Sequence, residues 1–210
     1  MKFSKKFFGL LLASTILSSA LCSVAKAEDD SRTADSAPQT RGALYLNVPF
    51  YEQETGDYCG PASVRSMYAC IKNTSNPPSQ STLAASLMVN GSTTHANAWN
   101  YCKNTFTSDY TEWWKNDPIT TPTALFVLTV NSVAKTKPVL AHIKGATTAN
   151  WKYSSPGHYL VFSGYTDVSG VSRIQITDPW KKGHGIASGK YEESLERVYA
   201  VTDRIIYVPK

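Results

Sequence analysis

A two-lobed α+β domain, helical in its first half and built of antiparallel strands in its second, with a cleft between, follows from three features of the chain. Capping signals and helical apolar spacing recur between Cys59 and Ala134; after Pro138 the texture changes to short β-branched runs; and the turn-forming Asp167-Val-Ser-Gly170 separates two of those runs. Helices first and strands after is the order expected of an α+β domain rather than of alternating βα units.

Residues 1–27 read as a secretory signal peptide. Lys2, Lys5 and Lys6 give a charged start, residues 7–21 an apolar run, and Ala25-Lys26-Ala27 a small-residue cleavage site. The run falls short of the roughly 20 residues needed to span a bilayer and contains Gly, Ser and Thr, so no membrane anchor is expected. Cys22 follows Leu21 rather than a small residue, which argues against a lipid anchor. Removing the leader leaves 183 of the 210 residues, enough for one domain with a sizeable core. It also removes four lysines and no acid, so the net charge falls from +5 to +1. No Lys/Arg cluster remains to supply a nucleic-acid footprint, and none is expected to bind. Residues 28–43 are expected to be a disordered linker or short pro-segment, because Glu28 to Arg41 holds no aromatic or large aliphatic residue. The domain then covers 44–210.

Tyr45 to Tyr51 reads as a short strand leading to Gln53-Glu-Thr-Gly-Asp-Tyr-Cys59-Gly-Pro61. Pro61 suits the first turn of a helix, and Val64, Met67, Tyr68 and Ile71 give it an apolar stripe running past Cys70. Pro77-Pro78 ends helical structure; Ser79 or Ser81 caps a second helix carrying Leu83, Leu87 and Met88, closed by Asn90-Gly91; a third spans about Ala96 to Lys103. Tyr110, Trp113 and Trp114 are expected to pack rather than to line a cleft. Thr121-Pro122 starts a helix to about Ala134, and strands follow at Val139 to Ile143, Tyr159 to Ser163, Val171 to Thr177, Val198 to Val201 and Arg204 to Val208.

Cys59 stands at the N-terminus of its helix, where unpaired N–H groups and the helix dipole favour thiolate, the reactive form of a cysteine. Gln53, six residues upstream, is an amide placed to help form an oxyanion hole. A cysteine nucleophile needs an imidazole beside it and a group that orients the imidazole. His95 lies near a helix start, His142 alternates along a strand, and His184 sits between glycines in a loop, a poor place for a base that must hold its geometry. His158 follows Pro156-Gly157 at the rim of a strand. Pairing across the 167–170 turn puts it one step from Asp178, which shares the apolar face of Ile174 and Ile176 and so needs a partner. Of three cysteines outside the leader, Cys70 and Cys102 are expected either to form a disulfide or to be buried thiols.

Gln53 to Ser63, Gly157-His-Tyr-Leu-Val-Phe-Ser-Gly-Tyr165 and Ile176-Thr-Asp-Pro-Trp180 together resemble the papain-like cysteine peptidases grouped with bacteriocin-leader (double-glycine) peptidases, in their stand-alone secreted branch. The resemblance implies a papain-like fold and hydrolysis of a peptide or protein substrate by a secreted monomer. It makes Cys59 the nucleophile, His158 the acid and base, Asp178 the orienting residue and Gln53 the oxyanion donor. The chain lacks the transporter segments of the leader-processing enzymes. A cell-wall amidase could use the same residues, though beyond the leader the Cys-Ser and His-Val-Gly motifs of such enzymes are absent. A silent binding module gripping its partner through Trp113, Trp114 or Trp151 is the third reading. With no metal-ligand spacing and no phosphate-cradling glycine loop, neither metal nor cofactor is expected.

Overall fold

A computed structural model describes residues 42–107, 114–180 and 189–209. The expected leader, most of the 28–43 segment, Tyr110, Trp113 and His184 lie outside the described residues. The first strand, β1 (Gly42–Tyr45), begins two residues before Leu44.

Three helices follow. α1 (Cys59–Ile71) starts at the cysteine; α2 (Gln80–Leu87) is capped by Ser79, whose side chain accepts from the Thr82 N–H; α3 (His95–Phe106) is capped in the same way by Thr94. Asn90-Gly91 does not close α2. With φ of 50° and 79° the two residues form the tight turn of a small hairpin, β2 (Met88–Val89) and β3 (Ser92–Thr93). Both central residues of such a turn need positive φ, which Asn and Gly supply at least cost. The hairpin lies against α1, where a Cβ at Gly60 would come within 2.6 Å of Thr93 Cβ; only glycine permits that approach beside Cys59.

β4 (Lys115–Pro118) precedes α4 (Pro122–Ala134), capped by Thr121 as expected. The main sheet then adds β5 (Val139–Ala146), β6 (Ser155–Val168), β7 (Val171–Thr177), β8 (Lys190–Ser194) and β9 (Thr202–Tyr207). Its order is β4-β9-β5-β6-β7-β8, with β1 also on β6 and every pairing antiparallel. The expected strand at Val198 to Val201 is instead helical, α5 (Leu195–Val201): Ser194 caps it, and Leu195, Val198 and Val201 bury one face at i, i+3, i+6 spacing. Tertiary burial overrides the strand preference of isolated valines.

The sheet is covered on both faces. Leu140, Tyr159, Val161 and Ile206 pack with Val64, Met67, Leu83 and Phe106 of α1 to α3. Their neighbours Ala141, Leu160, Phe162 and Ile205 pack with Leu125 and Phe126 of α4 and Val198 of α5. Strict alternation within doubly covered strands explains why they read as continuous apolar runs. Trp114 and Trp151 are both buried in these cores. Cys70 and Cys102 are free thiols, not a disulfide: Cys102 is packed within the helical core, while Cys70 lines a separate surface cavity.

Candidate active site

Cys59 is the first residue of α1, and its surroundings leave few donors at that helix end. The Ala62 N–H already bonds the Tyr58 carbonyl at 2.9 Å, Pro61 has no N–H and the Gly60 N–H bonds the Cys59 sulfur, so among the described residues the Cys59 N–H is the donor of the first turn left for a substrate oxygen. No acidic side chain sits in that turn to compete for the positive end of the helix. Ser63, one turn along and buried, donates to the Tyr159 carbonyl at 3.0 Å. This bond ties the cysteine helix to the strand residue next to His158.

His158 lies inside β6 rather than at its start, because the strand begins at Ser155 and takes in Pro156 and Gly157. It is nevertheless at a rim. On one side it faces Ile143 of β5, but pairing with β7 begins only at Val161. The 167–170 turn is tighter and later than expected: Ser169 and Gly170, at φ of 54° and 77°, are its only unpaired residues. That moves Tyr165 opposite Ile174; a bulge between Phe162 and Gly164 then takes back one step and leaves Val161 opposite Thr177. Asp178 falls just beyond the last pair, diagonal to His158.

The expected contact between them is present. His158 Nε2 stands 2.9 Å from Asp178 Oδ1, with both side chains fully buried. Asp178 accepts three further bonds: from the Trp180 N–H at 3.0 Å, the Tyr153 hydroxyl at 2.7 Å and the Tyr191 hydroxyl at 2.8 Å. Four donors converge on one carboxylate, which therefore stays ionised. Burial alone would raise its pKa, but the His158 charge and these bonds bring it below the usual carboxylate range. The imidazole is walled in by aromatic rings, Trp180 at 5.0 Å and Tyr153 at 5.6 Å, both edge-to-face, with Tyr153 stacked on Trp180.

His158 Nδ1 makes no hydrogen bond of ordinary geometry among the described residues, and besides Asp178 the ring interacts with Cys59. Burial disfavours the charged ring, yet the Asp178 charge and the bonds to Asp178 and Cys59 outweigh it and push the His158 pKa up to about 9. Burial likewise opposes ionisation of Cys59, but the hydrogen bond and charge of His158, with the N–H groups of Tyr159 and Gly60, hold the thiol below its ordinary range. The arrangement favours a thiolate beside an imidazolium.

Gln53 reaches the same region through its backbone, which donates to the Pro179 carbonyl at 2.8 Å. Its side chain is buried, but Nε2 donates to the carbonyls of Thr55 and Gly56 at 2.8 and 2.9 Å. Both amide hydrogens are thus engaged by the loop, and Oε1 has no partner among the described residues. Gln80 clamps this segment from α2: its amide accepts from the Glu54 N–H and donates to the Glu52 carbonyl, on either side of Gln53.

A cavity of about 380 Å³ opens beside Cys59, lined by Asp57, Ser92, Thr93, His142, Gly157 and Tyr159 among others. A larger one of about 620 Å³ lies elsewhere and includes none of Cys59, His158, Asp178 and Gln53 in its wall. Tyr153, Tyr191, Ser63 and Gln80 had no local signal in the sequence. Trp180 did, standing two residues after Asp178.

Residues 45–205 match the model of the Peptidase_C39 like family. The chain belongs to that family. Its architecture is shared with papain-like enzymes of known structure. Digestive procathepsin L 3 of the larval midgut of Tenebrio molitor aligns at TM-score 0.54 and 14% identity, over 80% of this chain and 70% of that one. Bromelain of Ananas comosus, in complex with the E64 inhibitor, aligns at TM-score 0.50 and 11% identity, over 80% and 98%. UfSP of C. elegans aligns at 0.51 and 13%, over 85% of this chain but 36% of its own length. No curated protein matches the chain. This C39-like chain has a papain-like fold and is a cysteine peptidase. Among the described residues no helix is long and apolar enough to cross a membrane.

Proposed function

We propose that this C39-like protein is a secreted, monomeric peptidase that cleaves peptide bonds through Cys59, His158 and Asp178 by way of a thioester. The observation that carries the proposal is the buried Asp178–His158 bond, with His158 in turn coupled to the half-buried Cys59 at a helix N-terminus. The Cys59 thiolate attacks the scissile carbonyl, and the oxygen that becomes negative is met by the Cys59 N–H, left free by the helix start. His158 then gives its proton to the leaving amine, which departs and leaves the acyl group on sulfur. Neutral His158 next takes a proton from water as that water attacks the thioester, releasing the acid and restoring the thiolate–imidazolium pair. Asp178 fixes the ring and stabilises its charge throughout. Secretion is supported by the leader pattern of residues 1–27. Burial of Trp114 and Trp151 takes two of the three tryptophans away from a partner-gripping role.

Gln53 is assigned as second oxyanion donor, exchanging one of its two loop carbonyls for the substrate oxygen. Gln53→Ala should then lower kcat by about 10²- to 10³-fold. Alkylation of Cys59 by iodoacetamide builds no oxyanion and should proceed at the parent rate. An equal fall in both would make Gln53 a loop brace and remove it from the mechanism.

The pH profile of kcat/KM tests the central pair. Activity should rise as Cys59 ionises, at a pH below the roughly 8.5 of a free cysteine, and fall as His158 loses its proton near pH 9. Iodoacetamide labelling should show the first limb without the second, since it needs only thiolate. Labelling that rises only with an ordinary thiol pKa would sink the proposal.

A further inference from the structure

His95, His142 and Asp203 are separated by 47 and 61 residues, so no sequence spacing announces them. The fold nonetheless brings them together from the first turn of α3, the middle of β5 and the start of β9. One ligand atom from each lies within 4.8 Å of the other two. We propose that these three side chains bind a divalent transition-metal ion of the zinc class, and that the bound ion obstructs the pocket beside Cys59.

Two imidazoles and one carboxylate are the donor types that zinc takes, and three protein ligands leave a further coordination position for water or a substrate group. Bonds of about 2.0–2.1 Å to a shared ion require modest rotation of half-buried side chains rather than movement of the strands. An orienting partner of the kind metal-bound histidines usually have is already in place for His95. His95 Nδ1 meets the Tyr159 hydroxyl at 2.7 Å, which leaves its Nε2 as the ligating atom. His142 Nδ1 meets Asp203 Oδ1 at 2.6 Å, and the two imidazoles stand edge-to-face with centroids 4.6 Å apart. All three are half-buried, within reach of an ion from solvent.

The position gives the ion a consequence. His142 and Tyr159 form part of the same cavity wall as Cys59, Thr93 and Gly157. An ion held by His142, with a coordination position open, would offer a competing ligand site to the peptide that the cleft accepts. The binding claim stands without the assigned triad; the inhibitory consequence rests on it.

The first measurement is calorimetric titration of zinc chloride into purified protein carrying Cys59→Ala, so that the thiol adds no ligand, with cobalt absorption as a coordination readout. One ion per chain is expected, with affinity at least about tenfold weaker in His95→Gln and in Asp203→Asn, variants that preserve side-chain shape. No binding, or binding of equal strength in both variants, overturns the proposal and leaves a pair of ordinary hydrogen bonds. The second measurement follows peptidase turnover of the Cys59-containing protein against zinc, relative to each variant's own metal-free rate. Inhibition reversed by chelator and displaced to higher zinc by His95→Gln is expected. Inhibition indifferent to His95→Gln places the ion on Cys59 and His158 instead, and refutes the regulatory consequence.

Discussion

Replacing Cys59 by alanine should abolish peptidase turnover while leaving the fold intact. The sulfur is the only protein atom in the proposed mechanism that forms a covalent bond to the acyl group, and α1 offers no substitute. Ser63, the nearest hydroxyl on α1, is buried and spends its proton on the Tyr159 carbonyl. Removing one member of a unit that acts together costs nearly the whole of its catalysis, on the order of 10⁶-fold in kcat. Stability should change by less than about 1 kcal/mol, since Cys59 is half-buried at a helix start and alanine is tolerated there. Turnover of a peptide library by the parent protein and by Cys59→Ala decides the matter, with thermal unfolding as control. Residual turnover at more than a small fraction of the parent rate would remove Cys59 from its role.

Much of this site could be read from the chain because its parts are local. A cysteine before Gly-Pro announces a helix start, and the alternation Ile174, Ile176, Asp178 puts a carboxylate on an apolar face. The partner of Asp178 followed from hairpin geometry even though the register was misjudged. The turn was placed one residue early, and the bulge after Phe162 partly cancelled the error, so the same two side chains still met. Other features were illegible for physical reasons. Tyr153 and Tyr191 reach Asp178 from segments with no turn or period tying them to it, and only the packed sheet shows the contact. The Asn90-Gly91 hairpin was legible, being a strong two-residue turn signal, but it was read as a helix stop because Leu83, Leu87 and Met88 continue the helical period up to it. β4, with the sequence Lys-Asn-Asp-Pro, has almost no strand propensity; it pairs only with β9, at an edge where Pro118 is tolerated. α5 shows the reverse error, valines read as strand in a segment too short for propensity to decide.

Asp178 separates geometry from charge, and two substitutions there should give different outcomes. Asp178→Ala removes an acceptor shared by His158, Tyr153, Tyr191 and the Trp180 N–H; the His158 and Tyr153 bonds are fully buried and the other two partly so. Breaking a buried ion pair by deleting one partner typically costs about 3–5 kcal/mol. The alanine protein should therefore unfold at markedly lower denaturant, and its turnover should fall by at least about 10³-fold, because His158 loses both its orientation and the charge that keeps it protonated. Asp178→Asn keeps the shape. Its oxygen can still accept from His158 Nε2 and the Trp180 N–H, while its amide hydrogens face tyrosine hydroxyls, which can turn to accept. What disappears is the negative charge, the largest influence raising the His158 pKa against burial. With that charge gone the imidazolium is less stable, so the alkaline limb of kcat/KM should move from near pH 9 toward neutrality while stability falls far less than in the alanine variant. Unfolding by denaturant and pH profiles of the asparagine protein measure the two effects separately. If asparagine left the alkaline limb where it was, the charge of Asp178 would not be what holds the proton on His158, and the triad would reduce to a cysteine and a histidine.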